Sequence, residues 1–184
     1  MSLLPLIQRL EAANNAAEYQ TINTQLEQFA SRNAGNWLTH YYVVLGYAFM
    51  SARGFDKNEM YIDKAINSLD LLKKINVNDE VLCLESFVYS IKMGKSPYTR
   101  WLAYKNRIMH PLEQAKKMNA HNPRIYILLA SIHKNIPTWL GGGCVTAKAD
   151  IQIANEKWKT QQMNTVLPHW GGGTLEDLKK SCPL

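Results

Sequence analysis

The chain has 184 residues, of which 46% are hydrophobic and 20% are charged, and its formal net charge is +6 at pH 7. This length fits one domain that can bury a core without a metal or a disulfide. No apolar run approaches the roughly 18 residues of a membrane span, and the apolar stretch at the N terminus is too short for a secretory signal. Composition therefore predicts a single folded domain over residues 1–184 and leaves its compartment open.

Apolar residues recur with helical periodicity along the chain, whereas the alternation typical of strands is weak. Two helices are expected within residues 1–35, and a third runs from Trp37 to Arg53 and ends at Gly54. The apolar stripes of the first two helices are Leu3, Leu6, Ile7 and Leu10, then Tyr19, Ile22, Leu26 and Phe29. These patterns predict an all-α fold.

Capping residues indicate where the later helices begin. Pro111 falls inside the helix predicted for residues 97–119, so this helix should kink or divide there. The capping patterns are Asp56 with Glu59 three residues later, Asn78, Ser96 before Pro97, and Asn122 before Pro123.

The chain resembles itself when it is shifted by 42 residues. Each unit is predicted to be a pair of antiparallel helices, and the units cover about residues 36–76, 78–119 and 122–163. One hairpin cannot bury its own apolar face, so the three units should stack, with residues 1–35 and 164–184 as caps. The large apolar residues that align are Tyr42, Leu84 and Tyr126, then Leu45, Phe87 and Leu129.

The first and third units resemble the tetratricopeptide repeat. Gly46 and Ala65 are 19 residues apart in the first unit, as are Ala130 and Ala149 in the third. The resemblance covers residues 36–163, although the units have 42–43 residues where the family has about 34. It implies an α–α superhelix of stacked antiparallel helix hairpins that binds a protein or peptide.

The C-terminal part resembles a narrower group of exported bacterial tetratricopeptide-like proteins of unassigned function. The resemblance lies in Asn122-Pro123-Arg124, Gly141-Gly142-Gly143 and Leu167-Pro168-His169-Trp170-Gly171. This resemblance implies export, which would require a signal peptide that has been removed from the chain. Without such a signal peptide, the expected location is the cytoplasm.

Stacked hairpins place their first helices along a groove that can bind an extended or helical segment. The first functional hypothesis is therefore a non-enzymatic scaffold for a protein or peptide. The sequence contains neither a nucleophile elbow nor the histidine spacing of a metal site, so we expect no enzyme activity, cofactor or metal. The candidate groove residues are Tyr41, Tyr47, Tyr89, Arg124 and His133.

Six of the ten glycines lie in two triples, Gly141-Gly142-Gly143 and Gly171-Gly172-Gly173. The first lacks the Gly-Lys-Ser/Thr order of a phosphate loop and should turn the chain between two helices. The second precedes Thr174, a candidate N-cap. The second functional hypothesis is that Trp139, Trp170 and the glycines form one exposed surface that binds a small ligand.

Residues 92–124 contain eight cations and one anion, Glu113. The third and weakest hypothesis is that this segment contacts a nucleic acid or another polyanion, although a solvated helix face explains the charge as well. Tyr98, Trp101 and Tyr104 lie among the cations, but their three-residue spacing predicts a buried stripe rather than platforms that stack on bases.

The three cysteines form no CxxC pair, which excludes a zinc site of the usual spacing. Cys83 lies in an apolar run and is expected to be buried and reduced. The sequence leaves open whether Cys144 and Cys182 are bridged. We expect the bridge if the chain is exported, because a disulfide requires an oxidising compartment.

Overall fold

The computed structural model describes residues 2–55, 58–163 and 165–183, and in these ranges the chain forms helices and no strand. This confirms the all-α prediction. No helix in the same ranges is long and apolar enough to cross a bilayer. The helices are α1 (Leu3–Ala12), α2 (Ala16–Arg32), α3 (Trp37–Ala52), α4 (Met60–Ile75), α5 (Asp79–Gly94), α6 (Pro97–Met118), α7 (Pro123–Asn135), α8 (Cys144–Trp158) and α9 (Gly172–Ser181), with a 3-10 turn at Thr138–Leu140.

Six helices form three hairpins that follow one another in chain order. α3 packs on α4, α5 on α6 and α7 on α8, while α3 contacts α5 and α5 contacts α7. α1 and α2 cover α3 on one side, and α9 packs against α7 and α8 on the other. Each hairpin therefore buries its apolar face against its neighbours, as the self-similarity of the sequence requires.

Asparagine side chains cap the N termini of several helices. Asn78 accepts a hydrogen bond from the Val81 N–H at 2.9 Å, and Asn122 accepts one from the Arg124 N–H at 2.9 Å. Both predicted caps are confirmed. Ser96 forms no side-chain cap bond. The proline after it occupies the first turn of α6, where backbone N–H groups have no partner within the helix, so the missing N–H of proline costs no hydrogen bond.

Three helix boundaries differ from the prediction. α4 begins directly after Glu59, which adopts a left-handed conformation with φ of 59°; Asp56 lies outside the described residues. α6 continues through Pro111 without dividing, and this proline is buried with the core-facing stripe of the helix. α9 begins at Gly172, two residues before the expected cap at Thr174.

Candidate functional site

Four of the five predicted groove residues are buried. Tyr41 is fully buried, and Tyr47, Tyr89 and Arg124 each expose at most 7% of their surface. Their polar ends form internal bonds, as when Tyr47 donates a hydrogen bond of 2.6 Å to Glu27. The prediction that these four side chains line an exposed groove is therefore wrong, because they pack into the helix stack.

The face formed by α3, α5 and α7 is covered by the chain itself. Residues 165–171, which we call the C-terminal segment, lie across it. Trp170 Nε1 donates a 2.6 Å hydrogen bond to the Tyr41 hydroxyl of α3, and its ring centre is 5.0 Å from that of Phe87 in α5. Arg124 of α7 donates to the Trp170 carbonyl oxygen at 3.4 Å. The C-terminal segment thus occupies the place that the scaffold hypothesis gives to a peptide.

Arg124 and Glu80 form a buried ion pair beneath the C-terminal segment. The guanidinium contacts both carboxylate oxygens, with Nε 2.7 Å from Oε2, and Asn122 donates a further hydrogen bond of 2.9 Å to Glu80. Burial raises the pKa of Glu80, partly offset by the charge of Arg124. The pair links α5 to α7, so Arg124 has a structural role in this conformation.

His133 is the predicted groove residue that stays partly exposed. It lies near the end of α7, with 28% of its side chain accessible, and its Nδ1 is 2.7 Å from an oxygen of Asp150 in α8. Its backbone carbonyl accepts a 2.9 Å hydrogen bond from the Gly143 N–H. His133 therefore lies beside the first glycine triple.

The first glycine triple turns the chain between α7 and α8, as predicted. Gly141 and Gly143 have φ values of 82° and 91°, which residues with a Cβ rarely adopt. The second triple passes close to the stack, where a Cβ on Gly172 would lie 2.7 Å from the Trp158 ring. Tight turning and close approach thus explain both triples without a ligand.

The two tryptophans beside the triples have opposite environments. Trp139 exposes 81% of its surface, whereas Trp170 exposes 8%. The expectation that both contribute to one exposed surface is wrong, because Trp170 is held in the core by contacts with α3, α5 and α7.

The four most exposed large apolar side chains in the described ranges lie at one end of the stack. Consecutive helices from α5 to α8 pack against each other, and connections of two, four and eight residues join them in chain order. The start of α6, the end of α7 and the start of α8 consequently lie at the same end. We call these four residues the apical surface: Tyr98 (100% exposed), Leu102 (90%), Val145 (88%) and Trp139 (81%).

Three of the four residues of the apical surface are not predicted as site residues, and only Trp139 is. Tyr98 is assigned to a buried stripe with Trp101 and Tyr104. Only the latter two pack against the core. The reason is helical phase: Trp101 and Tyr104 share a face of α6 with the buried Ile108, Leu112 and Ala115, whereas Tyr98 and Leu102, four residues apart, share another face. Extending the apolar stripe along the whole of α6 is the signal that would have identified Tyr98 and Leu102 as exposed.

Several charges at the apical end neutralise one another. Glu59 contacts Lys92 at 2.6 Å and Arg100 at 2.9 Å, and Asp63 also contacts Lys92 at 2.6 Å. Hydrogen bonds from Arg100 and Lys92 lower the pKa of Glu59 to about 2. This cluster ties the connection before α4 to α5 and α6.

Other cations at this end have no carboxylate partner in the described part of the chain. Lys95 donates instead to a backbone carbonyl of α3, and Lys134 donates to the hydroxyl of Ser181. Lys105 and Lys148 are exposed on α6 and α8. The apical end thus combines exposed apolar side chains with lysines that no described carboxylate neutralises.

The basic segment as a whole is less available than its composition suggests. Arg124 is buried against Glu80, Arg107 lies over the ring of Tyr89 at 5.2 Å, and Lys116 lies over the ring of Tyr126 at 5.4 Å. Cations that are bound internally cannot all contact phosphates, so this pairing disfavours the nucleic-acid hypothesis.

Cys144 and Cys182 form a disulfide that joins the start of α8 to the end of α9. Cys83 is free and buried, and burial raises the pKa of its thiol well above the usual value. The bridge that the sequence left open is thus present, and the buried position predicted for Cys83 is confirmed. Because Cys144 precedes Val145, the disulfide anchors the α8 side of the apical surface.

An open cleft of about 500 Å³ lies between α1 and α2. Alanines form much of its lining, together with Arg9, Asn14 and Glu18. It contains no aromatic side chain and none of the predicted site residues. The apical surface offers richer contacts for a ligand.

The fold is similar to that of the HusA haemophore from Porphyromonas gingivalis, with a TM-score of 0.85. The two chains are 21% identical, and the match covers 98% of this chain and 90% of that one. At this identity the likeness establishes a shared helical fold. No protein-family model matches the sequence, and no curated protein matches it.

Proposed function

We propose that this protein binds a flat, apolar and anionic ligand of the haem type at its apical surface. The observation that carries the proposal is the placement of the four most exposed large apolar side chains of the described ranges at one end of the stack. Lysines at this end have no carboxylate partner among the described residues. A protein rarely leaves such residues exposed together unless they contact a ligand or partner. The shared fold with a haemophore supports the choice of ligand class.

The chemistry of a haem-type tetrapyrrole matches this end of the molecule. Its wide face is apolar and aromatic, so Trp139 and Tyr98 can stack on it while Leu102 and Val145 pack beside them. Its two carboxylates need cations, which Lys95 and the other unpaired lysines can supply. Binding would remove exposed apolar surface from water on both partners.

The proposed role is that of a binder and not of an enzyme. A peptide scaffold is less favoured, because the C-terminal segment covers the face of α3, α5 and α7. The order of the three hairpins supports a tetratricopeptide-like classification. The disulfide supports work in an oxidising compartment, and hence export.

Titration of the oxidised protein with ferric protoporphyrin IX tests the proposal, with tryptophan fluorescence and the haem absorption band as readouts. We expect saturable binding, weakened about tenfold or more in Trp139→Ala and Leu102→Ala. Both side chains are exposed, so thermal stability should not change. The matched control is Met118→Ala, which truncates a side chain that is 59% exposed at the opposite end of α6.

A second titration tests the role of charge. Protoporphyrin IX dimethyl ester lacks the two carboxylates, and we expect it to bind more weakly and with less dependence on salt than the free acid. The proposal is refuted if the wild type binds no tetrapyrrole, or if both apical variants bind as tightly as Met118→Ala.

A further inference from the structure

His133 and Asp150 form a histidine–carboxylate pair between α7 and α8. Nδ1 of the ring is 2.7 Å from the carboxylate. A carboxylate accepts, so Nδ1–H is the donor, and in the neutral ring the lone pair then belongs to Nε2. Histidines that bind metals commonly donate their other N–H to a carboxylate, which fixes the tautomer and the orientation of the ring. The pair therefore presents Nε2 as a ligand atom.

Nε2 of His133 has no hydrogen-bond partner in the described ranges, and it is not among the buried unpaired atoms of these ranges. The 28% exposure of the side chain leaves this nitrogen accessible. His169 differs, because its Nδ1 is 2.8 Å from the Leu167 carbonyl and its Nε2 is 2.8 Å from Glu11. An oriented and free imidazole nitrogen thus occurs at His133.

The surroundings of His133 suit a metal that brings its own ligands. No group of three or more histidine, cysteine or acidic side chains that could hold a bare metal ion occurs in the described part of the chain. An iron tetrapyrrole supplies four nitrogens and needs only one or two ligands from the protein. His133 also contacts Gly143, in the connection that carries Trp139.

We infer that Nε2 of His133 is an axial ligand to the iron of a tetrapyrrole bound at the apical surface, and that Asp150 is the positioning residue for the imidazole. This inference rests on the proposed function. The bond is a donation of the Nε2 lone pair to iron and requires no other reactant.

The test compares ferric protoporphyrin IX with metal-free protoporphyrin IX on the intact, oxidised protein. His133→Ala should bind the iron form about tenfold or more weakly than the wild type and the metal-free form equally well. The absorption and electron paramagnetic resonance spectra should lose the signature of an imidazole ligand, and added imidazole should restore it. Asp150→Asn should keep this signature but weaken the iron form, by roughly tenfold or more.

His121→Ala is the matched control, since His121 is exposed at the opposite end of the stack, before α7. It should bind both tetrapyrroles as the wild type does. Equal binding of the iron form by His133→Ala and the wild type, or an equal loss of both forms, overturns the inference and leaves the proposed function standing. A wild type that binds neither form overturns both.

Discussion

Trp170 donates a hydrogen bond of 2.6 Å to the hydroxyl of Tyr41, a residue 129 positions earlier in the chain. Burial raises the pKa of Tyr41 well above its usual value, so the phenol stays neutral at ordinary pH. The indole also packs on Phe87 of α5. Trp170 therefore belongs to the hydrophobic core, although the C-terminal segment that carries it has no regular secondary structure.

Trp170→Ala should lower the free energy of unfolding by about 3–5 kcal/mol, because it removes a large buried aromatic side chain and leaves the Tyr41 hydroxyl without its donor. Denaturant titration measures the change. Trp139→Ala is the control, since this side chain is 81% exposed and its loss should cost less than about 0.5 kcal/mol. Similar losses in the two variants would contradict the buried position of Trp170.

Gly46→Leu should cost about 1–3 kcal/mol through overpacking. This glycine lies where α3 meets α2 and α1. A Cβ here would overlap the Asn23 amide, which is itself buried. The same substitution at Gly94, which has open space around its Cα, is the control in a denaturation series. Equal midpoints for the two variants would exclude the close contact.

The hairpins and several of their caps could be predicted because they depend on local signals. A 3.6-residue period and a proline after a capping residue lie within short stretches of chain, and the 42-residue repeat follows from comparing such stretches along the sequence. Asn78 and Asn122 cap their helices through the N–H groups of residues two or three positions on. Such contacts do not depend on the rest of the fold.

The environment of the aromatic residues could not be predicted in the same way. Tyr98 and Tyr104 share a helix and a spacing, yet Tyr98 is fully exposed and the ring of Tyr104 lies 5.9 Å from that of Tyr89. They lie on different faces, because six residues turn an α-helix by about 240°, so a helical projection of all of α6 separates them whereas the three-residue spacing alone does not. Tyr41, in contrast, is buried by a tryptophan from the far end of the chain. That relationship leaves no trace in a local sequence window.

Loss of the disulfide should destabilise the protein by about 2–4 kcal/mol, since Cys144 and Cys182 close a loop of 38 residues. The double variant Cys144→Ser/Cys182→Ser, compared with the oxidised wild type by thermal unfolding, measures the effect. Thiol titration of the wild type in denaturant without reductant should detect one thiol, that of Cys83. Three thiols in that titration would show that the bridge is absent.

Glu59→Gln should destabilise the protein at neutral pH, and the difference from the wild type should disappear in acid. Arg100 and Lys92 lower the pKa of Glu59 to about 2, whereas the unfolded chain has a glutamate pKa of about 4.3. A lowered pKa means that the ionised carboxylate stabilises the fold fully above about pH 4.3 and progressively less as the pH falls toward 2.

Denaturant midpoints measured for both proteins from pH 7 down to pH 2 test this dependence. Glu113→Gln is the control, because Glu113 is an exposed carboxylate whose nearest ion-pair partner is His110 at 4.0 Å; its effect at neutral pH should be small. The Glu59 effect should also shrink at high salt, since its partners are partly exposed. A Glu59→Gln deficit that stays constant from pH 7 to pH 2 would instead assign the effect to packing, because both residues have the same shape and only glutamate titrates.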